Sequence, residues 1–99
     1  MIRVIVSTAA RGDFRQIVAD LARDAGPAIA KRYAEKFDAN LVLIAEHPEI
    51  GMLRPELGSR IRIRVIRPYV LIYSVAGETV EVLRFLHGKR KITGRMLRR

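Results

Sequence analysis

The stretch from Gly58 to Arg67, GSRIRIRVIR, places Arg60, Arg62 and Arg64 at every second position, with Ile61, Ile63 and Val65 between them. Successive side chains of an extended chain point to opposite faces, so this alternation specifies a half-buried strand with one apolar face and one guanidinium face. Such a strand needs a sheet, and the sheet needs a core on one side. Folding gives no reason for a line of like charges. The row therefore expects an anionic partner, or it serves as a charged edge that discourages sheet-to-sheet aggregation. Arg67 breaks the alternation beside Pro68, and its direction is unreadable.

The remaining elements follow from periodicity. Residues 2–7, IRVIVS, read as a short strand. From about Ala9 to Asp24, Phe14, Ile17, Val18, Leu21 and Ala22 recur at the three-and-four spacing of one helix face. Asp13, Arg15, Asp20 and Arg23 fall mostly on the other side, and Ser7 or Thr8 caps the start. Gly26-Pro27 then ends one helix and opens the next, which runs from Pro27 to about Glu46 with its stripe at Ala30, Tyr33, Ala34, Phe37, Leu41 and Ile44. The tight link makes the pair an antiparallel hairpin. After a loop with prolines and glycines, 47–59, come strands at Arg60–Arg67, Tyr69–Val75 and Thr79–His87. The middle one is apolar on both faces, which suits a central strand. The order β-α-α-β-β-β predicts an α+β fold, a helical hairpin packed on one side of a small antiparallel sheet.

The chain has 99 residues, enough for one domain over 1–99, with 88–99 a mobile basic tail. Residues 1–49 hold seven Lys/Arg and seven Asp/Glu, and residues 50–99 hold twelve and three, so the net charge of +9 lies wholly in the second half. That asymmetry points to a polyanionic partner. There is no cysteine, which removes disulfides, thiolate metal sites and cysteine nucleophiles, and with His47 and His87 the only histidines no metal or cofactor is expected. No apolar run reaches the ~18–20 residues of a membrane span, so no membrane partner is expected and a cytoplasmic location is.

Several segments, taken in order, resemble the ParE/RelE superfamily of type II toxin–antitoxin toxins. They are Glu46-His-Pro-Glu-Ile-Gly51, Arg54-Pro-Glu-Leu-Gly58, Arg62, Tyr69-Val-Leu-Ile-Tyr73 and Val80-Glu-Val-Leu-Arg-Phe-Leu-His-Gly-Lys-Arg90. The last is closest to ParE-like members. The resemblance implies inhibition of DNA gyrase, and neutralisation by an acidic, ParD-like antitoxin of ribbon-helix-helix type in a toxin–antitoxin hetero-oligomer. RelE-like relatives instead cleave messenger RNA on the ribosome.

The two activities ask for different residues. RNA cleavage needs a base, an acid and cations for the phosphorane charge, for which Arg62, Arg64, Arg84, His87 and Arg90 are the candidates. Residues 88–99 carry no aromatic side chain or histidine on which a base would stack, and RNA-cleaving relatives commonly have one there. Gyrase inhibition needs no catalytic residue, only a surface that prefers one state of the enzyme or its DNA complex. Candidate target contacts are Arg84, Lys89, Arg90, Lys91, Arg95, Arg98 and Arg99, and candidate antitoxin contacts are Arg60, Arg62 and Arg64. Each of these cations has the alternative of being a solvated surface charge, and His87 that of a strand-end residue with local hydrogen bonds. Tyr69 and Tyr73 are expected in the core with their hydroxyls at the rim.

Overall fold

A computed structural model describes residues 2–97. The chain runs β1 (Arg3–Val6), α1 (Thr8–Ala25), α2 (Pro27–Glu46), β2 (Met52–Leu53), β3 (Ile61–Ile66), β4 (Tyr69–Ala76) and β5 (Thr79–His87), with short 3-10 turns at Pro48–Ile50, Pro55–Leu57 and Gly94–Leu97. The α+β order and the helical hairpin are those expected from the sequence. The sheet order is β1-β5-β4-β3-β2. The β3–β4–β5 meander and β2 pair antiparallel, whereas β1 joins β5 in parallel. A strand separated from its neighbour by the hairpin and three further strands can enter that way.

Ser7 is the cap of α1. Its hydroxyl accepts from the Ala10 N–H at 3.0 Å and donates to the Leu83 carbonyl at 3.0 Å. Leu83 is the extra residue in the β4–β5 ladder, where Tyr73 pairs with Val82 but Ile72 pairs with Arg84. This β-bulge lies on β5. The Arg67–Pro68 bond at the β3–β4 turn is cis. Gly26 takes φ 97°, a region that L side chains rarely adopt, and so closes α1 and hands the chain to Pro27 at the first turn of α2.

Both faces of the sheet are buried. On the hairpin side Ala10, Phe37 and Ile44 meet Ile66, Leu71, Tyr73, Val80, Val82 and Phe85. Rings fill this layer: Phe37 stacks on Phe85 at 5.1 Å between centroids, with Phe14 and Tyr69 edge-on or tilted at 5.6–6.0 Å. On the opposite side Leu57, Ile61, Ile63, Val70, Ile72, Leu83 and Leu86 form a second cluster, covered by Ile92, Met96 and Leu97. The 88–99 segment, expected to be a mobile tail, thus packs across the sheet as far as it is described. The reason is in its own sequence: Ile92, Met96 and Leu97 are spaced among the charges and supply the apolar side of a cover. Gly94 lets this cover approach, because a Cβ there would lie 3.0 Å from the Leu57 carbonyl oxygen.

Phe37 is fully buried at the centre of the ring layer. Phe37→Ala is expected to lower the unfolding free energy by about 3–5 kcal/mol in urea titration, with the collapse felt on α1, α2 and β5 together.

Candidate functional site

The alternation of β3 sends Ile61 and Ile63 into the cluster under the tail, and Arg62 and Arg64 to the hairpin side, opposite Tyr73 and Leu71. Arg60 precedes the strand with φ 68° and is exposed. Arg60 and Arg62 line one shallow hollow with Glu49, Leu53 and Val75. Arg64 diverges: its Nε donates to Asn40 Oδ1 of α2 at 3.0 Å. The row is therefore half-engaged with the fold, through neutral acceptors. Among the described residues none of these three arginines forms an ion pair with a carboxylate.

Arg62 has a second task that the sequence reading did not see. Its Nη1 donates to the Glu49 carbonyl at 3.1 Å and the Gly51 carbonyl at 2.8 Å. The Tyr73 hydroxyl donates to the Pro48 carbonyl at 2.7 Å and accepts from the Gly51 N–H at 2.8 Å. Tyr73 has no exposed surface, so this hydroxyl is a buried hinge pin and not the rim group expected. A Cβ on Gly51 would lie 2.6 Å from that oxygen, so only glycine fits. The segment Glu46-His-Pro-Glu-Ile-Gly51, with Arg62 and Tyr73, is one mechanical unit clamping the helix-to-sheet loop. Burial raises the Tyr73 pKa above its ordinary value of 10.0, against smaller opposing effects of the Gly51 hydrogen bond, Arg62 and Arg64.

Arg84 is held inside the molecule. Its Nε and Nη2 bind the two carboxylate oxygens of Asp13 at 2.6 and 2.9 Å, and its Nη1 lies 3.5 Å from the Met96 carbonyl. Asp13 Oδ2 also accepts from the Phe85 N–H at 3.1 Å. Asp13 thus sits between α1 and β5, not on the solvent side of α1 where its position in the stripe had put it. The bidentate pair, mostly buried, ties the hairpin to β5 and the tail, and hydrogen bonding to Asp13 raises the Arg84 pKa.

His87 is exposed at the end of β5. Its Nδ1 accepts from the Lys89 N–H at 3.1 Å, and its ring stands edge-on to Tyr69. It borders a hollow of about 300 Å³ shared with Tyr69, Arg90, Asp13 and Asp20. Lys89, Arg90, Lys91 and Arg95 are exposed on the segment that covers the sheet. Arg98 and Arg99 lie outside the described residues. His87 pairs through Tyr69 with Ile66, while Arg62 is four residues back along β3. That is on the order of 13 Å along the strand, in addition to two strand spacings. Arg62 therefore does not converge with His87 and Arg90, which share the hollow.

A helical hairpin packed on one face of a small, mainly antiparallel sheet matches the ParE/RelE-like architecture. The family described as "ParE toxin of type II toxin-antitoxin system, parDE" matches residues 4–92, and the chain belongs to it. It is similar to Toxin ParE3 of Caulobacter vibrioides, 24% identical over 94 residues, which span 95% of this chain and 94% of that one. Its fold is shared with a solved structure of the chromosomal ParDE TA system from P. aeruginosa, with a TM-score of 0.75 and 19% identity, over 88% of this chain and 96% of that chain. This chain is the toxin component of a ParE-like toxin–antitoxin module. Among the described residues no helix is long and apolar enough to cross a membrane.

Tyr73→Phe leaves the Pro48 carbonyl and Gly51 N–H without their buried partner, and is expected to cost about 1–3 kcal/mol in urea titration. The raised Tyr73 pKa also sets an alkaline limit. The unfolded chain loses the phenolic proton first, so the stability held below pH 10 falls as pH rises through 10 toward the folded-state value. Tyr73→Phe should flatten that fall in a pH series of unfolding midpoints.

Proposed function

We propose that this toxin inhibits DNA gyrase and is neutralised by a cognate acidic antitoxin. The observation that carries the reading is the match to the ParE family across residues 4–92, which runs through the hairpin, the sheet and into the covering segment. The geometry supports an inhibitor over an endoribonuclease. Phosphodiester cleavage requires a base, an acid and free cations around one atom. Here the Arg84 guanidinium is bound by Asp13 and that of Arg62 by loop carbonyls, so neither is free to gather around a phosphate beside His87.

An inhibitor traps the enzyme state it binds best. Lys89, Arg90, Lys91 and Arg95 are displayed on an anchored scaffold, which lowers the conformational entropy lost when they meet acidic protein or DNA phosphate. The antitoxin, a ParD-like protein with a ribbon-helix-helix region and an acidic segment, meets the toxin at Arg60, Arg62 and Arg64 in a hetero-oligomer. Arg60 and Arg62 share a hollow and lack carboxylate partners among the described residues, which leaves charge for it.

The test adds purified toxin to gyrase with supercoiled DNA, and separately to ribosomes programmed with messenger RNA. Loss of gyrase activity with intact message is the expected result, and codon-positioned cuts with unaffected gyrase would overturn the reading. Reversing Lys89, Arg90 and Lys91 to Glu is expected to weaken inhibition by about tenfold or more while the thermal melt stays in place. His87→Ala is expected to leave inhibition unchanged.

A further inference from the structure

Four of the six large apolar side chains that the described surface exposes lie at one edge of the sheet: Met52 at 71%, Val65 at 59%, Leu53 at 48% and Ile50 at 38% exposure. We propose that this β2–β3 edge is a docking strip for an extended acidic segment of a partner protein, which adds a strand beside Val65 in line with β2. That the partner is the antitoxin rests on the reading above; the edge itself does not.

The backbone supplies the first argument. Val75 N–H bonds the Arg60 carbonyl and Arg54 N–H bonds the Ile61 carbonyl, so even-numbered residues of this strand turn their backbone groups toward β4 and odd-numbered ones toward β2. β2 pairs only with Arg62 and Ile63. Continuing its register would set Ile50 against Val65. Instead the Ile50 N–H bonds the His47 carbonyl at 3.0 Å within the 3-10 turn. Val65 is left with an N–H and a C=O facing an open edge, the arrangement that accepts an added strand.

Side chains supply the second. Met52 lies opposite Ile63, and Val65 is two residues along on the same sheet face, within diagonal reach. Leu53, opposite Arg62, faces the other way into the hollow with Arg60. An incoming strand thus finds apolar contacts on both faces of the edge. An apolar strip of this kind, rimmed by polar groups, marks an interface.

Charge selects the occupant. Residues 49–67 hold five arginines and two glutamates, a net of +3, and Glu56 is already paired with Arg54. Exposed Arg60 and Arg67 flank β3 at its two ends. A second copy of this chain would bring the same cations face to face, whereas a strand carrying Asp or Glu between apolar residues neutralises them.

The probe is a short synthetic peptide alternating Val and Glu, titrated into isotope-labelled toxin, with its Val–Lys counterpart as comparison. Amide shifts at Leu53, Val65 and Ile66, and slower hydrogen exchange at the Val65 N–H, are expected for the Val–Glu peptide only. Val65→Lys and Met52→Lys should each weaken binding by about tenfold, while Val42→Lys, an equally exposed apolar site on α2, leaves it unchanged. No binding, equal binding of the Val–Lys peptide, or shifts confined to the helices would overturn the proposal. So would self-association that Val65→Lys abolishes, since the occupant is then a second copy. Gyrase inhibition is measured on the same samples. Its absence in the unaltered toxin contradicts the functional reading and leaves the edge result standing; retained inhibition with no peptide bound does the reverse.

Discussion

β4 has no wet face along its central stretch. Val70, Leu71, Ile72 and Tyr73 are all buried, two on each side of the sheet. A strand with that requirement must be covered twice, and a chain of this size has one helical hairpin to offer. The second cover therefore has to come from the C-terminal segment and the Pro55–Leu57 turn. Everything distinctive about the molecule follows from this. The basic segment is held where a loose tail would otherwise be, Arg84 is drawn inward by Asp13, and the sheet edge that neither cover reaches is left bare at Met52 and Val65.

The polar interior serves the same end. Tyr73 and Arg62 hold the loop that carries the chain from α2 to β2, and Arg84 and Asp13 hold α1 to β5. Each arrangement places charge or hydroxyl where the backbone has unpaired groups, at the two places where the helical layer meets the sheet. The cost is that Arg62 and Arg84, which look free in the sequence, are largely occupied. Cations on the covering segment remain exposed, and Arg60 and Arg62 keep their charge toward a shared hollow because their contacts in the fold are to neutral groups.

The sequence made the element order, the hairpin and the central strand readable, because periodicity and the Gly26-Pro27 punctuation are local signals. It also carried the family likeness, since the loop motif, Arg62 and Tyr73 occur in fixed order. What it hid is non-local. Parallel pairing of β1 depends on where a hairpin of two long helices delivers the chain. Asp13 sits at a polar position of α1 and gives no sign that Arg84, 71 residues later, will reach it. Ile92, Met96 and Leu97 are diluted among cations, so composition described a tail where packing makes a cover. The guanidinium row was legible as a pattern on one strand, but its division among Asn40, two loop carbonyls and an open hollow needed the third dimension.

The central claim is that the basic C-terminal segment is part of the folded body. Backbone order parameters from NMR relaxation, measured for Ile92 to Leu97 in the isolated toxin, test it most directly. The account predicts values near 0.85, those of a rigid backbone, matching β4 and β5. Values below about 0.6 across the segment would show a free tail and contradict the two-sided sheet on which the rest is built.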